Sequence, residues 1–353
     1  MSSVREYLYN LVTGKISGPV AVFLRACLWV LSLVYGLGVT ILANFYRAKA
    51  KRFKAKVISV GNITLGGTGK TTLVEYLSSK ITSAGHKVAV LSRGYKRDTR
   101  RLGTQSLGDE PTMLVKNLPL VKVVVNKNRI KGAQTAIDGY AADTLIIDDG
   151  LQQWKIAKDL EIVTIDAANP FGNGRLLPAG FLREPLSALK RADVFVLTQV
   201  RPEQDIVELY ARLRGINSRA LIVESIHKMD GFNSLSTPNE TLDLNSFKSK
   251  IAVVFSGIGN PEGFEKNIQD LGIHVAKSFR FIDHHDYLQA DIDKIIKMAR
   301  LMQADTIITT QKDAVKIREL EIKGAQIVWL NIKLSITHNE TEFNRRLLKL
   351  YSL

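Results

Sequence analysis

The sequence predicts an α/β protein: a main domain with a mainly parallel sheet, an N-terminal membrane-associated helix and a second, smaller α/β domain. Short apolar runs typical of buried strands alternate with amphipathic stretches, which indicates parallel strands joined by helices. A polar stretch between residues 225 and 250 divides these runs into two series. A long uncharged apolar segment precedes the first series and predicts the membrane-associated helix.

Length and composition indicate a large folded protein. The chain has 353 residues, of which 45% are hydrophobic, so it is long enough for two domains and is not a disordered protein. Cys27 is the only cysteine, which excludes an intrachain disulfide and a cysteine-rich zinc site and is typical of a reducing compartment. The net charge is +15, and between Tyr7 and Val74 there are nine basic residues and no acidic residue.

The N-terminal apolar segment runs from Ala26 to Tyr46 without a charge and is flanked by Arg25 and Arg47. A helix of this length measures roughly 30 Å, which is enough to cross the hydrocarbon core of a bilayer. The segment is too long for a signal peptide and lacks a small-residue cleavage site after it. Three interpretations remain open: a single membrane span, a helix lying in the interface with Trp29 and Tyr35 at headgroup level, or a buried core helix.

A basic cluster follows the apolar segment directly. It consists of Arg47, Lys49, Lys51, Arg52, Lys54 and Lys56. Because the cluster adjoins an apolar run and lacks interleaved aromatic residues, it favours contact with an anionic cytoplasmic leaflet over contact with nucleic acid. We therefore expect a membrane partner and no nucleic-acid partner.

A phosphate-binding loop follows the first predicted strand, Val57 to Val60. The segment G-N-I-T-L-G-G-T-G-K-T-T matches the P-loop pattern except that Thr64 replaces its first glycine. Lys70 is the predicted cation for the β- and γ-phosphates, and a helix from Lys70 to about Ala84 points its positive dipole end at the same anion. The candidate residues for binding a nucleoside triphosphate are Thr64, Gly66, Gly67, Thr68, Gly69, Lys70, Thr71 and Thr72. A glycine turn with only a structural role is the alternative.

Two adjacent carboxylates end a later apolar strand, T-L-I-I-D-D-G. In P-loop proteins a carboxylate at this place holds Mg²⁺, so Asp148 or Asp149 is expected to bind the metal together with the Thr71 hydroxyl. Alternate residues of a strand face opposite ways, so only one of the two needs to face the metal. The pattern leaves open which one does, and an Asp-Asp-Gly surface turn is the alternative.

The remaining strands follow from apolar runs of similar length. In the first domain these are K-V-A-V-L-S, V-K-V-V-V, L-I-I-D-D, E-I-V-T-I-D and V-F-V-L-T. In the second they are I-A-V-V-F-S, H-V-A-K-S-F and D-T-I-I-T-T. The predicted boundaries are residues 1–50 for the N-terminal helical region, 51–228 for the P-loop core, 229–250 for the connection and 251–353 for the C-terminal α/β domain. S-G-I-G-N-P-E-G-F has glycines spaced one residue too far apart for a dinucleotide site and predicts a turn.

A series of motifs in one order resembles the tetraacyldisaccharide 4'-kinase family of the lipid A pathway of Gram-negative bacteria. The motifs are G-N-I-T-L-G-G-T-G-K-T, S-R-G-Y, G-D-E-P, D-D-G-L-Q, N-P-F-G-N-G-R-L-L-P-A-G-F-L-R-E-P, S-G-I-G-N-P-E-G-F, D-H-H and T-T-Q-K-D-A-V-K. The resemblance extends from the N-terminal apolar helix to about Ile317. It implies a P-loop NTPase-type fold and transfer of the γ-phosphate of ATP to the 4'-hydroxyl of tetraacyldisaccharide 1-phosphate, giving lipid IVA. It also implies a lipid substrate at the cytoplasmic face of the inner membrane, and no obligate protein partner is inferred.

The resemblance also implies roles for single residues. Asp109 in G-D-E-P and His284 in D-H-H are the expected catalytic pair beside Lys70, with His284 orienting Asp109 across a cleft between the domains. A helix N-cap is the alternative for Asp109, and the neighbouring His285 is the alternative to His284.

Weaker assignments concern residues that a structural ion-pair network would explain equally well. Arg93 and Arg183 are candidates for binding the anionic lipid, and Glu184 is a candidate for the metal site. Lys312 and Asp313 follow a strand and are candidates for nucleotide contact or hinge closure.

Two residues depart from the family pattern: Gln153 stands where a histidine commonly occurs, and Thr72 where a proline does. Gln153 retains hydrogen bonding without a titrating group, and the P-loop change is expected to be neutral. The main alternative function is a membrane-associated positioning or partitioning ATPase. That class has a second lysine just before the glycines of the loop, where this chain has Leu65.

Overall fold

The computed structural model describes residues 2–94, 108–200, 204–238 and 240–352. The helices are α1 (Ser2–Val12), α2 (Pro19–Ala48), α3 (Lys70–Ser83), α4 (Asp109–Asn117), α5 (Arg129–Tyr140), α6 (Val207–Ile216), α7 (Pro261–Asp270), α8 (Gln289–Leu301), α9 (Gln311–Ile317) and α10 (Glu340–Lys349). The strands are β1 (Lys56–Asn62), β2 (Val88–Ser92), β3 (Lys122–Val125), β4 (Thr144–Asp148), β5 (Leu160–Asp166), β6 (Val194–Thr198), β7 (Leu221–Ser234), β8 (Thr241–Leu242), β9 (Ile251–Ser256), β10 (His274–Arg280), β11 (Thr306–Thr310) and β12 (Ile327–His338). Short 3₁₀ helices cover Leu186–Arg191 and Leu244–Phe247.

The chain folds into two compact units. The first contains Met1–Arg93, Leu120–Ile226 and Ser335–Leu353, and the second contains Gly94–Pro119 and His227–Leu334. The strands β7 and β12 each begin in one unit and end in the other.

The first unit is built on parallel strands in the order β7-β6-β5-β1-β4-β2-β3. The strands are apolar on both faces because helices cover both sides of a parallel sheet. Strand β1 pairs with β4 in a register that sets Val60 beside Asp148. The loop after β1 and the turn after β4 therefore leave the sheet at the same carboxyl edge, which is where α/β proteins bind ligands.

The second unit has the parallel strand order β10-β9-β11-β12, and β7 pairs with β8 as an antiparallel hairpin. Buried phenylalanines and isoleucines form its core, among them Phe232 and Phe247, whose rings lie 4.4 Å apart. The mainly parallel α/β fold, with one antiparallel hairpin, agrees with the predicted fold class.

The division into units differs from the predicted boundaries at three places. Helix α4 packs against α9 and belongs to the second unit, although the prediction placed it in the P-loop core. Helix α10 belongs to the first unit, because Phe343 packs there against Tyr76. The predicted connection, residues 229–250, contains the end of β7, β8 and the buried Phe247 and therefore forms part of the second unit.

Helix α2 contains the apolar segment and is long and apolar enough to cross a membrane. Its buried residues are Ala21, Ser32, Gly36 and Ala43. Large apolar side chains cover the rest of its surface, and many of them are about half to two-thirds exposed. The buried-core-helix alternative is therefore wrong, because a core helix is apolar and covered on all sides.

Candidate active site

The loop between β1 and α3 is shaped by two glycines with positive φ. Gly66 has φ +119° and Gly69 has φ +71°, a left-handed region that side chains with a Cβ rarely adopt. The fully buried Asn62 braces the loop, because its amide donates to the Thr64 carbonyl oxygen at 2.8 Å. The side-chain Oδ1 of Asn62 in turn accepts a hydrogen bond from Lys70 Nζ at 3.1 Å. Lys70 is thus held over the loop by a neutral partner.

The other predicted loop residues surround the same turn. The Thr68 hydroxyl bonds the Thr164 hydroxyl at 2.7 Å, and the Thr72 hydroxyl donates to the Gly69 carbonyl oxygen at 2.9 Å. Thr71 lies in the first turn of α3. A Cβ added at Gly67 would meet no heavy atom within 4 Å among the described residues, so this part of the loop borders open space.

A segment between β5 and β6 pairs with the loop along its backbone. Thr64 forms an antiparallel bridge with Leu182, and Leu65 N–H donates to the Phe181 carbonyl oxygen at 2.8 Å. Arg183 N–H donates to the Ile63 carbonyl oxygen, also at 2.8 Å. These three interactions fix the backbone of Arg183 beside the loop.

Asp149 lies between the two cations of this site. Arg183 Nη1 donates to both carboxylate oxygens of Asp149 at 2.8 and 2.9 Å, and Lys70 Nζ lies 3.7 Å away. Burial works to raise the pKa of Asp149, but Lys70 and Arg183 outweigh it and hold that pKa below its usual range. Asp149 has φ +55°, a conformation that aspartate tolerates better than most residues. The structure therefore brings Lys70, Asp149 and Arg183 together.

Asp148 is the last residue of β4 and is 5% exposed. Its backbone carbonyl accepts a hydrogen bond from Arg129 Nη2 at 3.3 Å. Arg129 is itself buried, and burial lowers its pKa to about 10 although Asp148 and Asp149 oppose this shift. Arg129 was not predicted from the sequence as part of the site. Its place just after β3, at the carboxyl edge of the sheet, was the available signal.

The assignment of Glu184 to the metal site is corrected by its contacts. Arg191 donates to both carboxylate oxygens of Glu184 at 2.8 and 2.9 Å, and Gln152 and Trp154 donate to one of them at 3.1 and 3.3 Å. Glu184 is 1% exposed, so four donors already surround a buried carboxylate. Its role in the structure is the ion-pair network that the sequence analysis had considered as the alternative.

Arg93 follows β2 and is exposed at the carboxyl edge of the first unit. The rest of the S-R-G-Y motif beyond Gly94 and the segment preceding Gly108 lie outside the described residues. Arg183 bonds Asp149 rather than standing free for a lipid.

Asp109 and His284 form a direct pair inside the second unit. His284 Nδ1 lies 3.1 Å from Asp109 Oδ2, and Lys316 Nζ lies 3.2 Å from the same oxygen. Burial works to raise the pKa of Asp109, but the hydrogen bond from His284 and the charge of Lys316 hold it below its usual range. The predicted assembly of this pair across a cleft is wrong, because both residues belong to one unit and already touch.

Lys312 sets the tautomer of His284. Lys312 Nζ lies 3.2 Å from His284 Nε2, and an ammonium group can only donate. Nε2 is therefore the acceptor, and Nδ1 carries the proton that is donated to Asp109. The neighbouring His285 instead pairs with Asp291 at 3.0 Å, so the structure distinguishes the two histidines.

A network of buried polar groups supports the Asp109–His284 pair. Asp313 is fully buried, accepts a hydrogen bond from Gly257 N–H at 3.0 Å and lies 3.6 Å from Lys316. Lys312 and Lys316 are one helical turn apart on α9, which aims both at the pair. The sequence analysis missed Lys316, although the repeated lysine of K-D-A-V-K was a visible signal.

The residues around the loop fit a magnesium ion bound with nucleotide. No group of three or more histidine, cysteine or acidic residues capable of holding a metal occurs in the part of the chain that the structure describes. Mg²⁺ does not need such a cage, because it is commonly held by one or two carboxylates together with phosphate oxygens and water. The Thr71 hydroxyl and the Asp149 carboxylate are oxygen donors of this kind.

Comparison with known proteins gives matches over nearly the whole chain. The model of the tetraacyldisaccharide-1-P 4'-kinase family matches residues 24–352. A tetraacyldisaccharide 4'-kinase from Halothermothrix orenii is 37% identical over 349 residues, covering 91% of this chain and 90% of that protein. One from Elusimicrobium minutum is 38% identical over 343 residues, covering 89% of this chain and 88% of that protein.

A solved structure shows the same fold. It is the crystal structure of the "apo" form of LpxK from Aquifex aeolicus in complex with ATP, which is 28% identical with a TM-score of 0.72. The match covers 93% of this chain and 100% of that chain. The resemblance found in the motifs is confirmed, and the chain belongs to the tetraacyldisaccharide 4'-kinase family of ATP-dependent kinases.

Proposed function

We propose that this protein transfers the γ-phosphate of ATP to the 4'-hydroxyl of tetraacyldisaccharide 1-phosphate, forming lipid IVA. The position and charge of Asp109 are the main support for this proposal. A phosphate-binding loop alone is shared with ATPases, whereas transfer to an alcohol is assisted by a proton acceptor fixed beside the hydroxyl. Asp109 is a carboxylate held ionised by His284 and Lys316. The ATPase-switch alternative has no use for such a pair and is not favoured.

The first unit is assigned the nucleotide. Gly66 to Thr72 would hold the phosphates through backbone N–H groups, and Lys70 would neutralise charge on the β- and γ-phosphates. Thr71 and Asp149 would hold Mg²⁺, which supplies charge neutralisation on the phosphate oxygens when bound. Arg183 orients Asp149 through its paired hydrogen bonds.

The second unit is assigned the acceptor hydroxyl. His284 and Lys316 both contact Oδ2 of Asp109, so we assign the incoming proton to Oδ1. The new bond joins the 4'-oxygen to the γ-phosphorus, the bond from that phosphorus to the β-phosphate oxygen breaks, and ADP leaves with the electron pair. A carboxylate with a lowered pKa is a weak base. This suits a loose transition state, in which the hydroxyl proton leaves late.

Arg93 is the proposed contact for the anionic 1-phosphate of the lipid, because it is exposed at the carboxyl edge of the first unit. Arg183, already committed to Asp149, is proposed to act on the nucleotide side with a weaker share in lipid binding.

We further propose that α2 lies flat in the cytoplasmic interface of the inner membrane of a Gram-negative cell. The second half of the helix contacts its own unit: Tyr35 donates to the Arg183 carbonyl oxygen at 2.8 Å, and the Tyr46 ring lies 4.4 Å from Lys155 Nζ. A spanning orientation would draw Arg183 and the loop near Leu176, which contact the middle of the apolar segment, into hydrocarbon, and this costs several kilocalories per mole for a charge.

Phosphate transfer from γ-labelled ATP to tetraacyldisaccharide 1-phosphate in mixed micelles tests the reaction. We expect magnesium-dependent labelling of the lipid that is lost in Lys70→Ala and Asp109→Asn. ATP binding should fail only in Lys70→Ala, because Asp109 lies in the other unit. ATP hydrolysis without lipid labelling, under conditions where a known 4'-kinase labels it, would contradict the proposed substrate.

A matched histidine pair tests the base more sharply. His284→Asn should lower kcat by about 100-fold, within the range for loss of acid–base assistance. His285→Asn removes a ring of the same size that contacts Asp291 instead and should retain most activity. Equal losses in the two variants would refute the assignment of His284.

Labelling of engineered cysteines tests the orientation of α2. With Cys27→Ser as background, the exposed Ser17 before the helix and Lys54 after it are replaced by cysteine, one at a time. A maleimide that cannot cross membranes is then added to spheroplasts. The interfacial orientation predicts labelling of neither position before lysis, whereas a membrane span predicts labelling of one.

A further inference from the structure

A pocket of about 560 Å³ lies between α1, α2 and the loop that follows β5. Its volume falls within the range of about 300–1,000 Å³ typical of small-molecule sites. Arg25 of α2 and Arg175 of the loop line it together with Trp29 and Val22. All of these residues belong to the first unit. The pocket is not used by the nucleotide or the Asp109–His284 pair.

Arg25 and Arg175 have no acidic counter-ion in the part of the chain that the structure describes. Among the described residues, no carboxylate lies within 4 Å of either guanidinium. The sequence explains this, because no Asp or Glu occurs between Tyr7 and Val74, nor between Ala167 and Arg183. The walls that carry Arg25 and Arg175 are thus free of acid, and two positive charges face one cavity. This arrangement suits an anion.

The wall of the pocket is held by specific hydrogen bonds. The Asn173 side-chain amide donates to the carbonyl oxygen of Val12 at 3.3 Å and to that of Ala179 at 3.0 Å, which ties the loop to the end of α1. Asn173 Oδ1 accepts a hydrogen bond from Arg175 N–H at 3.2 Å. A Cβ added at Gly180 would lie 2.2 Å from the Arg175 carbonyl oxygen, so the turn that presents Arg175 is tightly closed.

The rim of the pocket is apolar and continuous with the exposed face of α2. Phe23 is 68% exposed, Val22 58% and Trp29 48%. Tryptophan is enriched at the headgroup level of bilayers, where its ring is apolar and its N–H is polar. An anion bound here would therefore carry apolar chains on its outer side.

We propose that this pocket binds the phosphate headgroup of an anionic bilayer phospholipid, with Arg25 and Arg175 as its counter-ions and Trp29 beside the glycerol. The free charges, the acid-free walls and the apolar rim together describe a phosphate attached to acyl chains. The bound lipid fixes the rotation of α2 about its own axis at the membrane surface.

The test compares two double variants of the full-length protein with the same net charge. Arg25→Gln with Arg175→Gln alters the pocket. Arg47→Gln with Lys54→Gln is the control and removes two exposed charges of the basic cluster, at and just after the other end of the helix. Binding to phosphatidylcholine vesicles with increasing phosphatidylglycerol is measured by sedimentation. Quenching of tryptophan fluorescence by headgroup spin-labelled phosphatidylglycerol reports on Trp29, the most exposed membrane-facing tryptophan.

The pocket variant should lose affinity for phosphatidylglycerol vesicles about tenfold more than the control variant and should lose the quenching. Affinity for pure phosphatidylcholine should be unchanged in both. Equal losses in the two variants would show general charge attraction and overturn the proposal. Displacement of the protein from the vesicles by inorganic phosphate, at the lipid concentrations that saturate binding, would show that the pocket binds a free anion. That result would also overturn the proposal.

A separate binding experiment is needed for the lipid substrate, because tetraacyldisaccharide 1-phosphate is also an anionic lipid. If tetraacyldisaccharide 1-phosphate binds the wild type in an arginine-dependent manner and phosphatidylglycerol does not, the pocket belongs to the substrate site and the proposal fails. Kinase activity of the pocket variant in detergent micelles free of phospholipid should equal that of the wild type. The outcome is therefore distinguishable from failure of the proposed reaction.

Discussion

Asp149 holds two cationic side chains beside the phosphate-binding loop. Its contacts with Lys70 and Arg183 resemble those that phosphate oxygens would make, so the carboxylate preorganises the loop for an anion. The same negative charge would repel ATP when no metal is present. Asp149 is therefore expected to make nucleotide binding depend on Mg²⁺.

Asp149→Asn tests this dependence and keeps a side chain that tolerates φ +55°. With Mg²⁺ chelated, ATP should bind more tightly than to the wild type, because a repelling charge is gone. With Mg²⁺ present, kcat should fall about 100-fold, within the range for loss of one charge-stabilising group. Titration with a fluorescent nucleotide and lipid phosphorylation measure the two effects. Asp138→Asn, on the surface of α5, is the control and should change neither.

Lys316 neutralises two carboxylates in the interior of the second unit. Its ammonium group lies between Asp109 and Asp313, and its side chain is 7% exposed. Lys316→Met leaves both carboxylates without this partner and should cost about 3 kcal/mol at pH 7. Lys323→Met, whose side chain is 83% exposed, should cost less than about 0.5 kcal/mol.

The pH dependence of this effect follows from the lowered pKa of Asp109. A carboxyl group with a lowered folded-state pKa stabilises fully above its unfolded pKa, about 4, and stops doing so as the pH falls through the folded-state value. Chemical denaturation should therefore show a larger loss in Lys316→Met at pH 7 than at pH 3. In the same variant the pKa of Asp109 rises, so the acid limb of kcat/KM should move to higher pH. A pH-independent loss of stability would contradict the ion-pair explanation.

At the scale of elements, close packing of β1 against the turn after β4 sets the position of Asp149. A Cβ on Gly61 would lie 2.4 Å from Leu151 N, and one on Gly150 would lie 2.3 Å from Ser59 Oγ. Both glycines therefore permit an approach that no other residue allows. The turn lies against β1 because of them.

Gly61→Ala should push this turn away from β1 and destabilise the protein by about 1–3 kcal/mol, the usual range for overpacking. Turnover should fall further than stability alone explains, because Asp149 moves with the turn. Gly139→Ala is the control: a Cβ there meets no described atom within 4 Å, and glycine in helix α5 is replaced by a better helix former. Thermal unfolding should therefore show opposite shifts in the two variants.

The sequence predicted the elements that have a simple period. All eight apolar runs became strands, and the predicted helix from Lys70 to about Ala84 is observed as α3, Lys70–Ser83. Three strands were not predicted. β8 has only two residues, and β7 and β12 each pass between two units and have no single apolar alternation. A strand that is packed differently in its two halves does not show one regular alternation of apolar and polar residues.

The candidate site was predictable where one motif contains all its parts. The loop and the two candidate carboxylates Asp148 and Asp149 follow from local patterns, whereas the Asp109–His284 pair was implied by the resemblance to the family. Arg129, Lys316 and the true partner of Glu184 follow from neither, because their roles depend on which distant residues pack together. The charge of such a residue shows that it needs a polar partner, but it does not show whether a carboxylate binds a metal or forms an ion pair.

At the scale of the whole molecule, the C-terminal helix supports the nucleotide loop rather than the unit that precedes it in sequence. Phe343 of α10 is fully buried and stacks on Tyr76 of α3, with ring centroids 6.4 Å apart. Tyr76 also donates to Glu340 at 3.1 Å. Since α3 begins at Lys70, α10 braces the helix that carries the lysine proposed to bind the phosphates.

Phe343→Ala should therefore weaken ATP binding and increase hydrogen exchange in α3, at a cost of about 3–5 kcal/mol. Phe264→Ala, a similar cavity in the second unit, should increase exchange there and leave ATP binding nearly unchanged. Mass spectrometry of the exchanged peptides and nucleotide titration measure both effects. Loss of ATP binding in both variants would show that the two units do not respond separately.

The hydrogen bond from Tyr35 to the Arg183 carbonyl has a practical consequence for inhibitor discovery. An enzyme shortened by deleting α2 loses the only side-chain hydrogen bond to that carbonyl among the described residues. Arg183 would then hold Asp149 from a looser backbone, and the empty loop would sample shapes that the full-length enzyme avoids. Compounds selected against such a truncated protein would be optimised for a nucleotide site that the cell does not contain.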